Sequence, residues 1–505
     1  MKILSLGLDG ASYELINQYT AMGFLPTFKT LIEKGIYYPL PSTNPPHTAP
    51  GWVSSLTGVN PGKHGIYQFW DTQAPGYMGK FMGSNDYGVP PVWEILNDHG
   101  LITGMVNIPM SHPPQPCDGY MLTWPLSNTT RYCYPPDLIK ELAINNGYYV
   151  PDLLTMFTGD LNYIEEAIQN TKKRLSTIKY LIRKKPWDFF MAVFTEIDRV
   201  SHFYWKFVDN SKVSEELRNA IQDIYIEMDT MIKDILKELD EETVLLIYSD
   251  HGFEKGELDF YLHTYLEQNE LLKWKPAEEN YISQNSWFEK RLHEHLYVVD
   301  WANTTAYMAA PGSFGININL KGRQQQGIVT KEDYPHLCEY IINLMKNVLH
   351  PHTLQPLFKA IVKSSEIYQG KKAVNAPDII LIPQSYSTMV HHGTNEDCLF
   401  NFNPEQSGMH SQNGILLVYG KKAENIRCRH KPVDVCDIAP GILSLFGIEA
   451  PEYMDGHSIF DLVSKPQTVN IVDKDPLPYK APNQTGYDEK EQEEIKERLK
   501  SLGYL

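Results

Sequence analysis

The chain has 505 residues, 42% of them hydrophobic and 21% charged, enough to bury a large core and more than one ordinary domain needs. A formal net charge of -17 argues against the broad basic surface that nucleic-acid polymers or anionic membranes require, so an anionic substrate has to be attracted locally. Six scattered cysteines without a C-x-x-C pair indicate neither a disulfide framework nor a zinc knuckle. The apolar run Ile3 to Leu8 is too short for a signal-peptide core, and no run of about 18 apolar residues follows, so a cytoplasmic protein without a membrane span is expected.

In chain order, Lys2 to Leu8 reads as a short apolar strand. Thr27 to Lys34 then offers Phe28, Leu31 and Ile32 as one helical face, closed by Gly35. A helix around Tyr163 to Lys184 and the strand Asp188 to Phe194 form one unit; a helix from Glu215 to about Leu239 and the strand Thr243 to Tyr248 form the next. This alternation predicts an α/β fold, a mostly parallel sheet sandwiched by helices. After Gly256 the rhythm breaks into a stretch rich in Trp, Tyr, Asn and Gln, read as an inserted cap over 257–375 whose helix at His336 to Val348 is compatible with either cap or core. Core-like strands return at Asp378 to Pro383 and Gly414 to Tyr419, and a helix Asp437 to Phe446 ends the core. The expected organisation is a core of 1–256 and 376–463, the cap, and a tail of 464–505 with a charged helix, Glu489 to Lys500.

Each early strand delivers polar residues at its C-terminal end, where ligands bind in open α/β sheets: Asp9, then Asp198, then Asp250-His251. Asp198 and His202 stand four apart and share a helix face, so they can chelate one ion, although a surface pair is the commoner meaning of that spacing. Ser249-Asp250-His251-Gly252 at a strand-to-loop junction can direct two side chains at a metal, or simply be a loop cap beside a surface His. Thr48, behind Asn44-Pro-Pro-His, opens a helix: either an N-cap, or a hydroxyl held where amide donors favour phosphate. His47 and His64 read as structural, and His391-His392 as a solvated loop. Asn44 and Arg199 are candidate phosphate contacts, with a routine turn and an ion pair as their plainer readings. Trp274, Trp287 and Trp301 read as cap core.

Taken together, Asp9-Gly10, Thr48-Ala-Pro50, Thr57-Gly-x-x-Pro-x-x-His-Gly65, Asp198 with His202, Ser249 to Gly252 and Gly408-Met-His410 resemble the type I phosphodiesterase/nucleotide pyrophosphatase family of the alkaline phosphatase superfamily. The resemblance implies an alkaline-phosphatase-like core and two divalent ions, usually zinc. One would be held by Asp198, His202 and His410, the other by Asp9, Asp250, His251 and Thr48. Such nitrogen and carboxylate ligands suit zinc or manganese, and three carboxylates with a Thr48 alkoxide balance two divalent charges. It further implies Thr48 as nucleophile, a phosphothreonine intermediate, and a small phosphorylated substrate.

Two departures narrow the expectation. Where nucleotide pyrophosphatases commonly carry an Asn that donates to a phosphate oxygen, this chain has Phe69, which weakens the nucleotide diester assignment. Thr48-Ala-Pro-Gly-Trp52 is not the C/S-x-P-x-R motif of sulfatases. The expected activity is hydrolysis of phosphodiester or pyrophosphate bonds. A phosphomonoesterase or phosphotransferase on the same core, and a metal-binding protein without turnover, are the alternatives; the oligomeric state is open.

Overall fold

A computed structural model describes residues 1–77, 79–125, 129–147, 149, 161–275, 299–310, 312–391, 398–404, 406–421, 426–428 and 433–462. The expected tail helix, Trp287 and His392 lie outside the described residues. Apolar residues of Lys2–Leu8 alternate between two clusters: Ile3 joins the core on one face of the sheet, and Leu4, Leu6 and Leu8 join the core on the other. A strand buried on both faces has to sit in the middle of a sheet. It lies parallel to both Phe189–Phe194 and Thr243–Tyr248. The eight-stranded sheet runs Ile36–Pro41, Asn413–Tyr419, Thr243–Tyr248, Lys2–Leu8, Phe189–Phe194, Thr103–Ile108, Gly119–Thr123, Cys133–Tyr134. Its interior pairings are parallel and its edges antiparallel.

Helices cover both faces. Leu161–Lys184 and Glu215–Leu236 lie side by side on one face, close to the expected bounds. On the other face, Thr48–Thr57 is buried along its whole length, and its Trp52 fits against the first strand because Gly7 has no side chain: a Cβ there would come within 2.3 Å of the indole. Ile438–Leu445 packs beside it.

The segment from Leu258 to Asn401 builds a second lobe around its own apolar cluster. Its antiparallel sheet runs Ala306–Tyr307, Gly315–Ile318, Ile379–Pro383, Phe358–Lys363. Ile379–Pro383 therefore departs from the expected return to the core. Its apolar run meets the sequence criterion for a buried strand, but it is buried by the second lobe. The helix Tyr334–Met345 packs against Phe358–Lys363 in that lobe. Trp301 stacks on Tyr77 at 3.5 Å inside it, whereas Trp274 is only partly buried at its edge. Among the described residues, no helix is long and apolar enough to cross a membrane.

The short helix Glu196–Tyr204 is fixed by a fully buried ion pair: Arg174 Nη1, from Leu161–Lys184, donates to both carboxylate oxygens of Glu196 at 2.7 and 2.8 Å. Breaking one side of such a pair strands a buried charge. Arg174→Met is expected to cost about 3–5 kcal/mol of stability by urea denaturation. The double variant Arg174→Met/Glu196→Leu recovers much of that loss, and strict additivity of the two losses would refute the coupling.

Candidate metal centre

Five segments meet at the C-terminal edge of the parallel strands. Asp9 leaves the first strand, and the left-handed Gly10 (φ 72°) turns the chain so that its amide reaches Asp250 Oδ1 at 3.4 Å. Asp198 and His202 lie one turn apart on Glu196–Tyr204. Asp250 and His251 follow Thr243–Tyr248, and Thr48 is the first residue of Thr48–Thr57. His410 arrives from far along the sequence: Gly408–Ser411 pairs antiparallel with Gly252–Lys255, placing it opposite Phe253 and close to His251. All seven residues that the sequence singled out as ligands thus share one buried site.

The separations are short. His202 Nε2 and His410 Nε2 lie 3.1 Å apart, at 3.4 and 3.3 Å from Asp198 Oδ1. His251 Nε2 lies 3.2 Å from Thr48 Oγ1, 3.3 Å from Asp250 Oδ2 and 3.6 Å from Asp9 Oδ1. The His251 and His410 rings stack at 3.7 Å. Two groups have ligand atoms close enough to hold one cation each, Asp9-Asp250-His251 and Asp198-His251-His410, with His251 common to both.

Backbone carbonyls settle the tautomers of His251 and His410. The Nδ1 atoms of His251, His202 and His410 face the carbonyl oxygens of Gly252 (3.0 Å), Gly408 (3.1 Å) and Pro46 (3.3 Å). A carbonyl only accepts, so at His251 and His410 Nδ1 carries the proton and Nε2 turns its lone pair inward, whereas His202 Nδ1 faces both a carbonyl and an amide nitrogen. The Gln406 amide also contacts His202 Nδ1, at 2.7 Å. Neither oxygen of Asp9 makes a hydrogen bond of ordinary geometry among the described residues, the Trp52 indole being the donor beside it. Inward lone pairs beside buried carboxylates fit a divalent cation and little else.

The charges conflict without one. Burial first, then Asp250 and Asp198, push the Asp9 carboxyl well above its ordinary range; burial and Asp198 do the same to Asp250. Burial also opposes ionisation of Asp198, but His202 and His410 outweigh it and hold that carboxyl low. Burial keeps His251 and His410 neutral.

His47 is the N-cap of Thr48–Thr57, its Nδ1 accepting from the Ala49 amide at 3.1 Å, so Thr48 is not the cap. The His47 ring nonetheless lies 5.9 Å from that of His410, at the wall of the site. His64 is structural as expected: it contacts Ser54 Oγ at 2.9 Å, accepts from the Ile66 amide, and burial lowers its pKa to about 3. Phe69 packs edge-on against His47. Arg199 is fully buried, 3.6 Å from Asp198 and over the Trp124 ring. Asn44 is exposed, with Tyr386 Oη donating to its side chain at 3.4 Å. His391 is buried in the strand Thr388–His391 against Tyr261, not on a solvated loop, because that strand pairs with Leu258–Tyr261. Sequence reasoning missed Gln406 and the three carbonyls, for which the sequence carries no signal.

A buried set of carboxylates and imidazoles at the edge of such a sheet is the donor set of a metal-dependent phosphoester hydrolase. The profile of type I phosphodiesterase / nucleotide pyrophosphatase matches residues 3–413, and the chain belongs to that family. No curated protein matches it. Solved structures share the fold at low identity. A phosphonoacetate hydrolase from Sinorhizobium meliloti 1021 is 12% identical, with 87% of this chain and 94% of that one covered at a TM-score of 0.52. Human ectonucleotide pyrophosphatase / phosphodiesterase 5 is 14% identical, with coverages of 90% and 97% at a TM-score of 0.51. The alkaline phosphatase PafA is 15% identical, with coverages of 90% and 98% at a TM-score of 0.54.

A prediction follows from the raised Asp9 pKa. Its ionised form is disfavoured in the folded protein, so above the unfolded carboxylate pKa near 4 the residue costs stability, and below it the cost vanishes. In chelator-stripped protein at pH 7, Asp9→Asn is expected to melt a few degrees above wild type. The difference shrinks as pH falls towards 4. Calorimetry against pH is the check, and a lower melting temperature at pH 7 would contradict the charge assignment.

Proposed function

We propose that the chain hydrolyses phosphodiester or pyrophosphate bonds with two divalent ions, zinc by preference, and Thr48 as nucleophile. The observation that carries this reading is the Thr48 hydroxyl 3.2 Å from His251 Nε2, at the N-terminus of a buried helix and beside both candidate cation sites. Asp198, His202 and His410 would hold one ion, and Asp9, Asp250, His251 and Thr48 the other. Bound ions would supply Lewis-acid stabilisation of the phosphoryl oxygens and of the entering and leaving groups.

The remaining work belongs to the chain. Thr48 Oγ1, losing its proton, forms a bond to phosphorus as the bond to the leaving oxygen breaks; that oxygen departs with a proton as an alcohol or phosphate. Water then attacks the phosphothreonine, restores the Thr48 hydroxyl and releases the phosphorylated product. Arg199 would add a buried positive charge near Asp198.

Purified, metal-replete protein is expected to contain about two divalent ions per chain, and chelation to abolish turnover of bis-p-nitrophenyl phosphate. Elemental analysis decides: a folded protein with no bound metal rules the centre out. Thr48→Ala is expected to lower kcat by several orders of magnitude while its melting temperature and metal content stay near wild type. In acid-quenched wild type, intact-mass spectrometry should find the added mass of one phosphoryl group. A Thr48→Ala variant keeping a tenth of the activity would exclude covalent catalysis through this residue.

A further inference from the structure

Beside the histidines, where the second lobe meets the core, lies a partly enclosed cavity of about 40 Å³. Its core-side wall is Pro46, His47, His202, Met409 and His410. The second lobe supplies Gly312, Phe314, Tyr386 and Met389, and Gln406 closes one side. The cavity therefore opens onto the proposed reaction centre while drawing four of its ten lining residues from a lobe that holds none of the proposed ligands.

The lining is apolar where it is not already engaged. His202 and His410 turn Nε2 to Asp198. The Gln406 amide is in contact with His202, and Tyr386 Oη donates to Asn44. The side chains of Pro46, Phe314, Met389 and Met409 offer only carbon and sulfur, and no Lys, Arg, Asp or Glu lines the cavity among the described residues. Phe314 holds φ 47°, a left-handed backbone disfavoured for an aromatic residue, and its ring meets Tyr386 edge-on at 5.4 Å. Strain of this kind persists where a wall must be set in place.

We propose that this cavity receives the organic group esterified to the substrate's phosphorus and selects a slender, uncharged alkyl chain over a nucleoside. A nucleobase would bring hydrogen-bonding edges with no partners in this lining. An alkyl chain brings none, and each methylene buried contributes up to about a fourfold gain in affinity. The inference rests on the proposed function, because the phosphoryl group must sit at the metal centre for its substituent to enter the cavity.

The test is isothermal titration of zinc-loaded Thr48→Ala protein, which turns nothing over, with inorganic phosphate, methyl-, ethyl- and butylphosphonate, and AMP. Butylphosphonate is expected to bind about tenfold more tightly than methylphosphonate, and AMP no more tightly than phosphate. Met389→Trp, which fills the cavity, should abolish the chain-length gain and leave phosphate affinity unchanged. Phe314→Ala, which enlarges it, should extend the gain to hexylphosphonate. Equal affinities for methyl- and butylphosphonate, tighter binding of AMP, or a gain that survives Met389→Trp overturns the cavity assignment alone. Failure of phosphate and every phosphonate to bind the zinc-loaded protein overturns the proposed function, and the cavity assignment with it.

Discussion

Burial of negative charge at one edge of a parallel sheet is the constraint on which this molecule depends. Asp9, Asp198 and Asp250 all lie out of contact with water at the ends of packed segments. Two like charges about 4 Å apart repel by about 4 kcal/mol even at an effective dielectric constant of 20. Arg199, against Asp198, supplies one positive charge, and burial keeps the His251 and His410 imidazoles neutral. The proposed pair of divalent ions is the compensation that lets three carboxylates stay ionised together, and their bound charge then serves phosphoryl transfer.

Holding such a site requires rigid supports, and the supports are mostly backbone. Asp9 and Asp250 follow neighbouring strands that are paired in register, so their spacing is set by the ladder. Carbonyls of Gly252, Gly408 and Pro46 fix the imidazole orientations, which side-chain rotation alone would leave free. The helix bearing Asp198 and His202 is pinned by Arg174, and the hydroxyls of Tyr368 and Tyr386 from the second lobe both reach Asn44, just ahead of Thr48. Removing a remote group therefore perturbs the centre through its geometry.

Labour is divided between the two lobes. The core carries every proposed ligand and the proposed nucleophile. The second lobe contributes shape: Phe314, Tyr386 and Met389 wall the approach without touching a carboxylate. A shared fold across proteins named for phosphonoacetate hydrolysis, nucleotide pyrophosphatase and alkaline phosphatase activity illustrates why the core alone cannot name a substrate.

Local pattern carried much of this in the sequence. Apolar runs such as Lys2–Leu8 and Thr243–Tyr248 declare buried parallel strands because both faces must be apolar, and the polar residues just after them mark the sheet edge where ligands collect. Asp198 and His202 share a helix face through their spacing alone. What depends on chain closure over long separations was out of reach of such patterns. His410 meets His202 and His251 only through the pairing of Gly408–Ser411 with Gly252–Lys255. Ile379–Pro383 has the composition of a core strand yet is claimed by the second lobe, and His391, in a stretch that reads as solvated loop, is buried by the neighbouring strand Leu258–Tyr261. Periodicity reports which residues must be buried, because burial is a property of each side chain. Which surface buries them, and which lone pairs then face one another, is decided by contacts between distant segments, and those exist only in the folded chain.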